Sequence, residues 1–133
     1  MPKAIMFAWL VSAVLVSGGL VLVPQTTQAG DAKRGEDLFG GCAMCHTVEP
    51  GVHRMGPSLA GVVGRPAASA EGFSYSPAMR GHGEAGVVWA SDTLHEFLAD
   101  PRGVVPGTRM AFPGLEDEAD RADVIAYLKS LSP

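Results

Sequence analysis

Cys42-Ala43-Met44-Cys45-His46 decides how this chain is to be read. These two cysteines are the only ones in 133 residues; they stand three positions apart, and a histidine follows directly. A C-x-x-C-H run is the signature of covalent c-type haem attachment. Each thiol adds across one vinyl group of the porphyrin to make a thioether, so the pair straddles one edge of the ring. His46 then aims its imidazole at the iron from the same turn of chain, and imidazole nitrogen is a good iron ligand. One haem c per chain consumes both cysteines and leaves no free thiol.

Other uses of the same residues are poorly supplied. Structural zinc needs four ligands in a tetrahedron, and no second C-x-x-C or H-x-x-x-H accompanies Cys42, Cys45 and His46. A redox-active dithiol belongs in a βαβ setting, which the chain does not offer. A plain disulfide is the remaining alternative.

Upstream, Met1-Pro2-Lys3 is a short positive start and Ala4 to Val23 is uncharged and apolar. Pro24-Gln25-Thr26-Thr27-Gln28-Ala29 is polar and ends in a small residue, the order of a secretory leader cleaved after Ala29. An uncleaved anchor is the alternative, because 20 uncharged residues are long enough to span a bilayer. The expected division is a leader at 1–29 and one domain at 30–133. Export suits the chemistry, since covalent haem is installed outside the bacterial cytoplasm; the expected place is the periplasm, with membrane attachment only if the leader stays on. From Gly30 onward, 9 Lys and Arg stand against 14 Asp and Glu, a formal charge of −5. No basic stripe exists to meet phosphate, which excludes nucleic acid as a partner class.

Three stretches carry helix signals. Asp31 can cap a helix running through Ala32, Leu38 and Phe39 to the haem motif. A second starts near Ser91-Asp92, places Leu94, Phe97 and Leu98 on one side, and stops at Asp100 because Pro101 disfavours helix in the residue before it. A third follows Glu116-Asp117-Glu118, acids that suit a helix N-terminus, and presents Val124, Tyr127, Leu128 and Leu131 as a stripe. No alternating strand is visible. About 45 residues rich in Gly, Pro, Ser and Ala lie between the haem motif and the second helix, read here as loop. A loop that long is unusual in a compact domain, unless it wraps a flat apolar cofactor that supplies the core a small domain lacks.

From Asp31 onward the chain resembles the class I cytochromes c, most closely the bacterial cytochrome c2 and mitochondrial type. Gly35 and Phe39 match first-helix positions that pack against the last helix at Val124 and Tyr127. Gly56-Pro57-Ser58-Leu59-Ala60-Gly61 and Gly64-Arg65 resemble the loop on the histidine side, where the Pro57 carbonyl accepts the His46 ring N–H. Phe73-Ser74-Tyr75-Ser76 and Trp89 resemble segments whose polar tips bond the haem propionates, with Arg65 adding charge. Pro106-Gly107-Thr108-Arg109-Met110 resembles the loop that delivers the distal sulfur ligand, which implies Met110 as the sixth ligand and Thr108 beside it. The resemblance implies an all-α fold of helices and long loops around one covalent haem, terminal helices packed together.

Met44, Met55 and Met79 are expected as core filler, and His95, beside Glu96, as solvent-facing. His53 and His82 are weaker rivals for the iron. Two departures from the family stand out: Phe97 where a tyrosine is common, and Met79 where an amide side chain often organises buried water. Both make the distal side more apolar.

His and Met on opposite faces leave the iron no open site. His/Met ligation raises the reduction potential relative to a bis-His haem. No convergent acid–base pair or nucleophile accompanies the motif, so the expected function is a monomeric periplasmic carrier of single electrons, not an enzyme. Its partners are redox proteins: a bc1-type complex, an oxidase, a reaction centre or a dehydrogenase. A dedicated subunit or acceptor of one periplasmic dehydrogenase is the alternative, and a gas-binding haem protein with Met110 displaced is the other. Many relatives steer with a ring of lysines; here Lys33 and Lys129 are the only lysines after the leader.

Overall fold

The computed structural model describes residues 29–132; the expected leader, except Ala29, lies outside them. Asp31 accepts the Lys33 and Arg34 backbone N–H groups and starts helix α1, Ala32–Leu38, which tightens into a 3-10 turn at Phe39–Gly41 and runs into the haem motif. Helix α2 is Pro77–Glu84, α3 Ser91–Ala99, α4 Pro101–Val104 and α5 Glu118–Ser130. Pairing of extended chain is limited, among the described residues, to one isolated bridge between Pro66 and Val88. None of the described helices is long and apolar enough to cross a membrane.

Helix α1 crosses α5 at close range because Gly35 lacks a side chain. A Cβ there would collide with the Asp123 carbonyl and the Tyr127 Cβ, so glycine sets the approach of the two backbones. Phe39 and Tyr127 extend the contact with ring centroids 5.3 Å apart. Polar atoms fasten the rim: the Asp31 backbone N–H donates to Asp123 Oδ1 at 2.6 Å, and Arg34 reaches both Asp123 and Asp120. The core then runs from Val124, Ile125 and Leu128 of α5 through Leu94, Phe97 and Leu98 of α3 to Trp89, Val105 and Val62. Arg121 ties this arrangement to the distal chain, donating to the Leu115 and Glu116 carbonyls and to His95 Nε2.

Two parts of the sequence reading need correction. The stretch read as one long loop contains α2. Ser76 caps it, its hydroxyl accepting the Met79 N–H at 3.1 Å, and Pro77 occupies its first turn. None of its residues is fully buried, and only Ala78 and Met79 of its apolar side chains pack against the core, too short a stripe to betray it. His95 does not face solvent freely: it is half-buried and held against Arg121, because α5 packs across that side of α3.

Candidate functional site

The attachment motif follows the 3-10 turn as a second tight turn. The Cys45 and His46 N–H groups both donate to the Cys42 carbonyl. This winds the two half-buried cysteines onto one side of the turn, as free thiols with no disulfide between them. Burial pushes the Cys42 thiol above its ordinary pKa, and the nearby Cys45 adds to the effect.

His46 is placed by the loop that follows. The chain returns so that the Gly56 N–H donates to the Cys45 carbonyl at 2.8 Å. A Cβ on Gly56 would run into the His46 ring, so glycine here makes room for the imidazole. The next residue turns its carbonyl to the ring, and His46 Nδ1 lies 2.8 Å from the Pro57 oxygen. Burial lowers the imidazole pKa while the Pro57 contact pulls the other way. With Nδ1–H committed to Pro57, the neutral ring leaves Nε2 as a lone-pair donor, the form that ligates metal.

Arg65 lies in the same loop system. Its guanidinium donates to the Ala60 carbonyl at 3.0 Å and the Ser58 carbonyl at 3.1 Å. Its Nε–H is buried with no protein partner. An orphaned donor on a buried cation is costly, and a haem propionate is the kind of anion that answers it. Together with two unbridged thiols and an imidazole backed by Pro57, this donor set fits a covalent haem.

Of the other expected contacts, Tyr75 already uses its hydroxyl to accept the Ala70 N–H at 3.1 Å and packs edge-on against Phe73. Trp89 is buried between Phe97 and His82, with centroids at 5.0 and 5.7 Å. Met110 packs against the same core as Cys42, and its N–H is held by the Thr108 hydroxyl at 3.3 Å. Arg109 clasps the Met110 loop to the Ser74 carbonyl at 2.6 Å.

The methionines separate cleanly. Met79 and Met110 pack against the core. Met44 and Met55, expected as core filler, are instead 77% and 80% exposed. The attachment turn offers its inner side through Cys42 and Ala43, which leaves Met44 outside. His53 is a structural tie: one ring nitrogen accepts the Ser58 N–H and the other contacts the Glu71 carbonyl at 2.8 Å. Sequence reasoning missed this tie and the Arg54 anchor, a guanidinium donating to the Ala43 carbonyl at 2.8 Å. Neither has a spacing that could reveal it, since both depend on how the loop returns.

The sequence model of the cytochrome c family matches residues 32–132. Cytochrome c2 iso-2 of Magnetospirillum fulvum is 53% identical over 93 residues, covering 70% of this chain and 94% of that protein. Cytochrome c of Chlamydomonas reinhardtii is 48% identical over 103 residues, 76% of this chain and 89% of the relative. Among solved structures, cytochrome c2 from Rhodospirillum centenum superposes with a TM-score of 0.74 at 38% identity, covering 78% of this chain and 100% of that one. Cytochrome cH from Methylobacterium extorquens gives 0.70 at 43% identity, with 76% and 99% covered. The chain therefore belongs to the cytochrome c family, and is a monohaem electron-transfer protein with one covalent haem c rather than an enzyme.

Proposed function

We propose that Cys42 and Cys45 hold the haem by thioether bonds and that His46 Nε2 and the Met110 sulfur take the two axial positions of its iron. The observation that carries this reading is the His46 imidazole, fixed through Nδ1 by Pro57 beside two unbridged thiols. Bound there, the haem supplies a one-electron ferric/ferrous couple. The protein's own residues would hold the two ligands in place: Pro57 fixes the histidine ring, and Thr108 and Arg109 hold the loop that bears Met110. Arg65 would offer its buried Nε–H to a propionate, with Tyr75 and Trp89 as further candidate donors. Phe97 belongs to the buried core, and Met79 and Met110 both pack against it.

The working reading is a periplasmic carrier that collects one electron from a membrane complex or dehydrogenase and hands it to an oxidase or reaction centre. The leader-like sequence at 1–29 supports export, with cleavage leaving Gly30 first. Mass spectrometry of the exported protein should give the mass of residues 30–133 plus one haem. Met110→Ala tests the axial assignment: the ferric protein should lose its weak far-red iron–thioether band, and the ferrous protein should bind carbon monoxide. Loss of that band in Met79→Ala, with Met110→Ala retaining it, would overturn the assignment.

A further inference from the structure

The chain that leaves Met110 is held from two sides. Gly114, at φ +113°, brings its backbone so close to α3 that a Cβ would strike the Ala99 carbonyl. The Leu115 N–H donates to the Leu98 carbonyl at 2.8 Å. From α5, the Arg121 guanidinium donates through Nη1 to the Leu115 and Glu116 carbonyls. Its Nε–H points elsewhere, to His95 Nε2 at 3.4 Å. Because the guanidinium is a planar, rigid fork, a contact at Nε sets the direction in which Nη1 reaches. Among the described residues, ion pairs with carboxylates are made by Lys33 and Arg34, not by His95 or Arg121. Both partners are half-buried, whereas Asp92 and Glu96 on α3, Arg102 on α4, and Glu116 and Glu118 before Arg121 are exposed. Asp117 caps α5, and Asp120 and Asp123 are taken by Arg34.

We propose that His95 is a positioning residue for the distal ligand, aiming Arg121 while its imidazole is neutral and releasing it when protonated. The inference rests on the reading above, that Met110 ligates the iron. A ring nitrogen that accepts a hydrogen bond needs a lone pair, so the contact requires the neutral ring with its proton on Nδ1. Protonation removes that lone pair and sets a second cation against the guanidinium. No carboxylate is paired with either side chain to absorb the new charge. Imidazole is the side chain that changes charge between about pH 5 and 8. Turned away from His95, the guanidinium loses its aim at Leu115 and Glu116. The chain five residues beyond Met110 then keeps only its hold on α3. A looser loop lets the sulfur leave the iron more often, so outside ligands gain access faster in acid.

Carbon monoxide is the probe, because it carries no proton and binds the ferrous iron only when the methionine departs. Its binding rate to the reduced holoprotein should be about fivefold higher at about pH 5 than at about pH 8, the effect of one lost hydrogen bond of about 1 kcal/mol. His95→Gln, whose amide oxygen accepts the Arg121 N–H at either pH, should bind slowly at both. His95→Leu, with no acceptor, should bind fast at both. His82→Gln, at a histidine that packs on Trp89 instead, should keep the wild-type step. Equal wild-type rates at the two pH values, a step surviving in His95→Gln, or a step lost in His82→Gln would overturn the proposal. The far-red band of the ferric protein in the more alkaline buffer keeps the two readings apart. Its presence in the wild type and loss in Met110→Ala shows the sulfur in place, whereas its absence from the wild type rejects the axial assignment itself.

Discussion

Gly56 and Gly40 look alike in the sequence and differ entirely in what surrounds them. A methyl group on Gly56 would strike the His46 ring, whereas one on Gly40 would meet nothing within 4 Å. Gly56→Ala should therefore cost about 1–3 kcal/mol, as overpacked sites do. Gly40→Ala should be neutral or stabilising by up to about 1 kcal/mol through the unfolded chain. Urea unfolding followed by haem absorbance measures both. The motif was readable because its proposed meaning is covalent: spacing alone makes Cys42, Cys45 and His46 the candidates for holding a haem. Met44 and Met55 were misread as filler because a methionine carries no mark of which side of a turn it occupies. That depends on the inward packing of Ala43 and on the path of residues 52–56.

Helices declare themselves when they bury a stripe or carry a cap. Helices α1, α3 and α5 do so: Asp31 and Asp117 cap the first and last, and α3 stops before Pro101. Helix α2 has a cap at Ser76 and a proline in its first turn, but no fully buried residue, and Gly81 and Gly83 interrupt it. Gly83 has a tertiary cause, since a Cβ there would meet the Ala67 carbonyl, and that neighbour comes from a segment distant in sequence. Asp117→Ala should lower stability by about 1 kcal/mol, the usual cost of a lost cap. The α1–α5 rim gives a pH-dependent test. The Asp31 N–H, opposed by desolvation and helped by Arg34, holds the Asp123 carboxyl below its ordinary pKa. A carboxylate depressed in the folded state stabilises the protein above its unfolded pKa of about 3.9, and that contribution fades as pH falls through the lower folded value. Asp123→Asn should thus lower the urea midpoint at pH 7. The gap from wild type should narrow as pH is lowered below about 4, and a gap that widened in acid would contradict the assignment.

Across the whole molecule, the long connection between the attachment turn and α3 makes sense as a wrapping for a prosthetic group, because a domain of about 100 residues buries modest surface unaided. Replacing both Cys42 and Cys45 with Ala should leave a chain with weak helical circular dichroism and no cooperative melt, whereas the loaded protein melts in one step. The family resemblance made this architecture readable in the sequence; the loop clasps of His53, Arg54 and Arg109 were not readable, because each joins segments through backbone carbonyls that every residue possesses. One of the contacts that close the fold, Asp31 to Asp123, spans 92 positions. Helix α1 therefore finds its native partner only when the last helix of the chain exists. Truncation before α5, Glu118–Ser130, should leave α1 unpaired and the fold unclosed, read as loss of the cooperative melt.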